Sequence, residues 1–331
     1  MTITETSQPV ARTREWVPAA RILLSGGAIL ATVPYLTLKA LWLTGNEVGV
    51  TDRDFLADPV LHALNFVTAG MDVIAIVLAL AFVTRLGNRI PAALLLLPAW
   101  VASGLLGPIV VATPLTSLVS ASGTSDSGLP LADWVRPIVY GGFAVQGVFL
   151  VGGFLFYAAH RWGHTVHGDL EEPAGGPGQT MRRQLVIGAS AFGAATTAAS
   201  LAWAWGLPWG QPADMLAARD ATSAIVGTIT ELFAIAGILG SLALVHGIPR
   251  GRSYGIAALA AWLGSGSMFA WGMWGLMTTL TTSPLSGATT EGMSIQNVHT
   301  FFQTAVGLVL GVMALTAVVA RSEDNQASSE R

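Results

Sequence analysis

Long apolar runs with almost no charge dominate this chain of 331 residues. A helix needs about 20 apolar residues to cross a bilayer, and it must satisfy its own backbone hydrogen bonds there. The runs do not alternate with a period of two, which excludes a membrane barrel. They cover residues 22–43, 60–84, 91–112, 137–159, 184–207, 222–245, 254–277 and 297–320. The sequence therefore predicts an all-α integral membrane protein with eight transmembrane helices.

The composition excludes several functional classes. Only 11% of residues are charged and 52% are hydrophobic, whereas soluble domains carry about 25% charged residues. The absence of cysteine excludes disulfides, thiolate metal sites and thiol nucleophiles. A net charge of −3 gives no basis for nucleic-acid binding. The expected partners are the lipid bilayer and a small-molecule solute, while an oligomeric state cannot be read from the sequence.

The arginines of the predicted loops indicate an orientation. One side holds Arg12, Arg14, Arg21, Arg85, Arg89, Arg161, Arg182, Arg183, Arg250, Arg252, Arg321 and Arg331. The other side holds only Arg53, Arg136 and Arg219. Cytoplasmic loops carry the excess of basic residues. We therefore expect a multi-pass protein of the cytoplasmic (inner) membrane with both termini in the cytoplasm.

Short motifs recur in the same order at an offset of about 160 residues, which indicates an internal repeat. The pairs are Trp42-x2-Gly45-x3-Gly49 with Trp203-x2-Gly206-x3-Gly210, Trp100-x2-Ser103-Gly104 with Trp262-x2-Ser265-Gly266, Asp72 with Glu231, and Gln146 with Gln303. Four helices return the chain to its starting side, so two such units have the same orientation. The sequence therefore predicts two parallel four-helix repeats.

The repeat divides the chain into five segments. Residues 1–21 form a cytoplasmic N-terminal tail, and residues 22–160 form the first four-helix repeat. Residues 161–183, rich in glycine, proline and charge, form a cytoplasmic linker. Residues 184–320 form the second repeat, and the polar residues 321–331 form a disordered C-terminal tail.

Three residues of formal charge fall well inside the predicted spans: Lys39, Asp72 and Glu231. Such residues cost roughly 2.5–3.5 kcal/mol each on insertion scales, and they usually face a bundle interior or an aqueous cavity. One interpretation is a polar chamber between the repeats that opens outward. Asp72 and Glu231 would exchange protons or bind a cation there, and Lys39 would be a counter-charge.

A structural interpretation explains the same acids as packing contacts. Tryptophan residues at mid-membrane need a hydrogen-bond acceptor for the indole N–H. Asp72 could accept from Trp100 and Ser103. Glu231 could accept from Trp262 and Ser265 in the same way, with Lys39 closing an ion pair.

Four further polar residues are candidates for solute or proton binding: His62, Gln146, His299 and Gln303. A separate group, His160, His164 and His167, has a spacing that resembles a metal site. It runs into the predicted linker, where interfacial histidines are common. We therefore expect no metal and no cofactor.

The stretch Lys39-x2-Trp42-x2-Gly45-x3-Gly49, followed by Arg89-Ile90-Pro91 and Pro98-Ala99-Trp100, resembles a family of uncharacterised multi-pass membrane proteins from actinobacteria. The resemblance covers mainly the first half of the chain. It implies a membrane location and a helical architecture, and no activity.

Three functional hypotheses remain open at the level of sequence. The leading one is a small-solute transporter or permease coupled to protons. The second is a non-transport accessory, regulatory or self-resistance protein, and the third is an intramembrane enzyme acting on a lipid-like substrate. The chain has no hydrolase elbow, no HExxH zinc pair and no phosphate-binding loop. An enzyme is therefore the less favoured class.

Overall fold

The computed structural model describes residues 13–84, 86–120, 130–173, 175, 177–211, 216, 219–281 and 293–329. Its long helices are α1 (Thr13–Leu43), α3 (Pro59–Val83), α5 (Ala92–Ser120), α6 (Val135–Val166), α7 (Pro177–Ala204), α8 (Ala221–His246), α9 (Tyr254–Leu280) and α10 (Met293–Ser329). Two short helices, α2 (Arg53–Ala57) and α4 (Leu86–Arg89), lie in connections. Parts of the 113–136 and 278–296 connections, and Arg12, Arg85 and Arg331, lie outside the described residues.

Each of the eight long helices contains a segment long and apolar enough to cross a membrane. Large apolar side chains also cover the outside of the bundle. Leu30, Phe66 and Ile256 remain 72%, 71% and 71% exposed, which is typical of a surface that meets lipid rather than water. The prediction of a multi-pass helical membrane protein is confirmed.

The starts of two helices are fixed by aspartates. Asp58 precedes Pro59 of α3, and its carboxylate accepts from the amides of Val60 at 2.8 Å and Leu61 at 3.0 Å. Asp220 caps α8, because its carboxylate accepts from the Ser223 amide at 2.8 Å. In return the Asp220 amide donates to the Ser223 hydroxyl. These bonds satisfy amides that a helix start leaves without an internal partner.

The Asp220 cap leads to a prediction about pH and stability. The Ser223 amide lowers the pKa of Asp220, which lies outside the membrane-spanning segment. A carboxyl whose folded pKa is lowered stabilises the folded state above its unfolded pKa, near 3.9, and loses that contribution as pH falls. We expect Asp220→Ala to cost about 1 kcal/mol near neutral pH, with a smaller penalty at acid pH.

The matched control for this cap is Asp220→Asn, because asparagine caps a helix as well as aspartate and does not titrate. The melting temperatures of the wild type, Asp220→Ala and Asp220→Asn are measured in detergent at neutral and at acid pH. An Asp220→Ala penalty that does not change with pH would contradict the charged cap.

The long helices pack as two groups that meet at the centre. In the first group α6 contacts α1, α3 and α5, and in the second group α10 contacts α7, α8 and α9. The groups meet mainly where α5 packs against α8 and α9. α1 and α3 run antiparallel, since Arg21 in the N-terminal part of α1 donates to the Phe82 carbonyl near the end of α3 at 3.0 Å.

The turns after α1 and α7 have the same local structure. The Trp42 indole donates to the Val48 carbonyl at 2.8 Å, and the Trp203 indole donates to the Trp209 carbonyl at 2.7 Å. Gly45 and Gly206 have φ of 83° and 81°, a left-handed conformation that glycine adopts without strain. The Trp–Gly motifs therefore encode equivalent turns.

Several boundaries differ from the sequence prediction, and α1 already begins at Thr13, within the predicted tail. α6 continues to Val166 and α7 begins at Pro177, so the connection is shorter than 161–183. The C-terminal segment was predicted to be disordered from residue 321, but α10 continues as a helix to Ser329. Arg321 ties the first turn of this extension to the segment after α6, because its guanidinium donates to the carbonyls of Asp169 at 3.1 Å and His167 at 3.2 Å.

Candidate functional site

A cavity of about 340 Å³ lies among the helices of the first group. Helices α1, α3, α5 and α6 form its walls, and Trp271 and Trp274 of α9 close one side. Its polar and charged lining residues are Lys39, Asn65, Thr68, Asp72, Arg136 and Gln146. Its aromatic lining residues are Tyr35, Trp42, Phe55, Tyr140, Phe143, Trp271 and Trp274. The remaining lining residues are aliphatic. The cavity is thus mainly apolar with a few polar groups, as small-molecule sites usually are.

Asp72 is the acidic residue of this cavity. It is only 4% exposed, and its Oδ1 accepts a long hydrogen bond of 3.4 Å from the Gln146 side chain. Its second oxygen, Oδ2, is buried and has no hydrogen-bond partner. A carboxylate oxygen in this state costs free energy that a proton or a bound donor would offset.

Lys39 is the buried base, with 5% exposure. Its ammonium donates to the Asn65 side-chain oxygen and lies 4.6 Å from the Tyr35 ring centroid and 5.3 Å from that of Trp42. Cation–π contacts of this kind stabilise a desolvated ammonium. Lys39 therefore lines the same cavity as Asp72 but is held by an amide and two aromatic rings.

One end of the cavity lies beside the connections after α1 and before α6. Leu131, Val135 and Arg136 belong to its lining. The backbone amide of Ala132 donates to the Gly49 carbonyl at 2.9 Å, and that of Thr51 donates to the Pro130 carbonyl at 2.9 Å. These bonds join the two connections on the side of the bundle opposite the described ends of the chain.

The tryptophan–serine pairs do not contact the acids. The Trp100 indole donates to the Ser265 hydroxyl at 3.1 Å, and the Trp262 indole donates to the Ser103 hydroxyl at 2.8 Å. The hypothesis that Asp72 and Glu231 accept these bonds is therefore wrong. The physical reason is that α5 and α9 pack directly against each other, so each tryptophan reaches the serine of the opposite helix.

The two helices approach very closely at this crossing. A side-chain carbon added to Gly104 would lie 2.6 Å from the Ser267 backbone nitrogen and would overlap the Gly266 backbone. Small residues permit such contact between membrane helices. The crossed hydrogen bonds and the glycine contact together fix the first group of helices to the second.

Glu231 lies in a separate polar cluster of the second group. It is 4% exposed and lies close to the hydroxyls of Thr197 and Ser200. The Ser200 hydroxyl is 2.9 Å from His299 Nε2, and the His299 ring packs on Trp203 with centroids 4.7 Å apart. Glu231 does not line the cavity. The expectation of one chamber shared by both acids is therefore corrected: the cavity lies among the helices of the first group, with Trp271 and Trp274 of α9 on one side.

The other predicted site residues divide in the same way. Gln146 lines the cavity and contacts Asp72. His62 is exposed near the start of α3, and Gln303 is buried in α10, away from the cavity lining. In the described part of the chain, no three His, Asp or Glu side chains come together as a metal site.

Sequence reasoning did not assign Asn65 or Tyr35 to the site, and for Trp271 it favoured helix packing over an apolar ligand pocket. Asn65 carries a usable signal, because it is a polar residue within a long apolar run and is 6% exposed. The indole nitrogen of Trp271 is buried without a hydrogen-bond partner. Its assignment to the cavity required knowing which face of α9 meets the first group.

Comparison of this chain with protein-family models, curated proteins and solved structures found no match.

Proposed function

We propose that this multi-pass membrane protein binds a small, largely apolar solute in the first-half cavity and acts as a permease for it. The observation that carries this proposal is the buried Oδ2 of Asp72, which has no hydrogen-bond partner although Asp72 lines a cavity of about 340 Å³. Buried polar groups are normally paired, so an unpaired carboxylate oxygen on a residue that lines a cavity favours a ligand that supplies the missing donor.

The architecture that we propose is two parallel four-helix repeats with both termini in the cytoplasm. The equivalent turns at Trp42 and Trp203 support the repeat, as does the reciprocal exchange of indole–hydroxyl bonds between α5 and α9. The distribution of arginines supports the orientation. In this orientation the end of the cavity near Arg136 faces the extracytoplasmic side.

A proton link follows from the same carboxyl group. Asp72 can carry a proton on Oδ2 when the cavity is empty and release it when a ligand donates there. Buried carboxylates at mid-membrane often act in proton exchange in transporters. We therefore propose that solute binding at Asp72 is coupled to a proton.

The second candidate is a solute-binding accessory protein that does not transport. The crossed bonds between Trp100 and Ser265 and between Trp262 and Ser103 favour it, because they oppose a rocking motion of one half against the other. A permease whose two halves are held together by these bonds must open by movement of helices within the first half. Cross-linking the connection after α1 to the connection before α6 would stop uptake by a permease and leave binding by an accessory protein intact.

Mass spectrometry of small molecules that co-purify in mild detergent tests the binding function. We expect a recurrent compound with the wild-type protein, at least about tenfold less of it with Asp72→Asn, and little change with Glu231→Gln. Glu231 is the matched control, because it is equally buried but lies outside the cavity. Equal recovery from all three proteins, or no compound from the wild type, would overturn the proposal.

A further inference from the structure

Two buried side chains that ionise with opposite sign line the cavity. When a ligand donates to Asp72 and the carboxyl releases its proton, the two charges balance, and this balance constrains the ligand. Lys39 and Asp72 are 5% and 4% exposed, and both belong to the lining. Arg136, the third charged lining residue, lies at the end of the cavity beside the connections and is only half-buried, so water screens it. A ligand of net charge would therefore place an uncompensated charge in the interior, which costs several kcal/mol.

The unpaired polar groups specify the hydrogen bonds that a ligand needs. Asp72 Oδ2 is an acceptor without a donor, and the Trp271 indole N–H is a donor without an acceptor. A hydroxyl group can donate and accept. A molecule with at least one hydroxyl, or with separate donor and acceptor groups, matches both residues.

The walls favour an aromatic body. Trp274 and Trp271 come from α9, and Tyr140 and Phe143 come from α6. Aromatic rings interact with one another through offset or edge contacts that add to the hydrophobic effect. The volume of about 340 Å³ lies at the small end of the range for small-molecule sites.

We propose that the cavity binds an uncharged aromatic small molecule with a hydroxyl group that donates to Asp72. This inference rests on the proposed function, since it names the class of solute that the same cavity takes. It also assigns a role to Lys39: the base compensates the charge of Asp72 and does not bind an anionic ligand.

A matched set of three probes tests the class of ligand: 2-naphthol, 2-naphthoate and 2-naphthylmethylammonium. They share one ring system and differ in charge. Binding to the full-length protein in nanodiscs is measured by equilibrium dialysis, with empty nanodiscs as the control for lipid partition. We expect 2-naphthol to bind at least about tenfold more tightly than either ion.

Variants that remove one of the two charges test whether charge balance determines which probe binds. Asp72→Asn leaves the Lys39 charge alone, so its preference should shift toward 2-naphthoate. Lys39→Met leaves the Asp72 charge alone, so its preference should shift toward the ammonium probe. In each variant the affinity for the favoured ion, divided by the affinity for 2-naphthol, should rise about tenfold or more over the wild-type ratio. Thermal melts show whether each variant is folded.

The wild-type ranking decides the proposal even where a variant does not fold. Tightest binding of either ion to the wild type would overturn the proposed ligand class while leaving a solute-binding cavity. Absence of specific binding by all three probes would also overturn the ligand class. If, in addition, no compound co-purifies with the wild type, the proposed function fails as well.

Discussion

Replacing Gly264 by leucine is expected to destroy the folded bundle. A side-chain carbon at Gly264 would overlap the backbone of Gly237 and the Phe233 carbonyl. The two helices at this point, α8 and α9, touch backbone to backbone, so no flexible side chain can move aside. Overpacking of a close-packed core costs about 1–3 kcal/mol when it can relax, and we expect more than about 3 kcal/mol here.

Size-exclusion profiles and thermal melts in detergent measure this effect. The control is Gly188→Leu on α7, because a side chain at Gly188 would meet nothing within 4 Å. We expect Gly188→Leu to remain monodisperse with a melting temperature close to that of the wild type, and Gly264→Leu to aggregate. A monodisperse, stable Gly264→Leu protein would show that α8 and α9 are not in direct contact.

The same glycine contact leaves no space for a cavity between α8 and α9 at this point. Gly237 and Gly264 let α8 and α9 meet directly, since a side-chain carbon on Gly237 would lie 2.6 Å from the Ser265 backbone nitrogen. At the positions that the proposed repeat aligns with these glycines, the first half carries Leu78 and Ala102. These side chains are larger than the glycines, α3 and α5 contact each other less closely than α8 and α9 do, and Ala102 lines the cavity.

The eight helices could be predicted from sequence because hydropathy is a local property. Each long apolar run corresponds to one helix of the bundle, and the caps at Asp58 and Asp220 follow from short-range chemistry. The turns after α1 and α7 also depend on local sequence, because the indoles of Trp42 and Trp203 each donate to a carbonyl only six residues later. These features depend on neighbours in the chain.

The partners of buried polar groups could not be predicted in the same way. Asp72 and Glu231 occupy similar sequence contexts, yet Asp72 lines a cavity and Glu231 lies beside Thr197 and Ser200. The difference depends on how closely the neighbouring helices approach. The rotation of α5 against α9 likewise decides that Trp100 bonds to Ser265. Helix spacing and rotation are properties of the assembled bundle.

Filling the cavity should abolish ligand binding without unfolding the protein, and Ala102 is the position at which to do it. Ala102 lines the cavity and is only partly buried, so an indole at this position has empty space beside it. We expect Ala102→Trp to bind 2-naphthol, or the compound that co-purifies with the wild type, at least about 100-fold more weakly, which corresponds to about 2.7 kcal/mol.

Ala93→Trp is the matched control on the same helix, because Ala93 is exposed on the outside of the bundle. Equilibrium dialysis in nanodiscs measures binding for both variants, and thermal melts establish that both are folded. Wild-type affinity in a folded Ala102→Trp protein would place the ligand outside this cavity, whereas loss of binding in Ala93→Trp as well would point to a general effect of added tryptophan on the bundle.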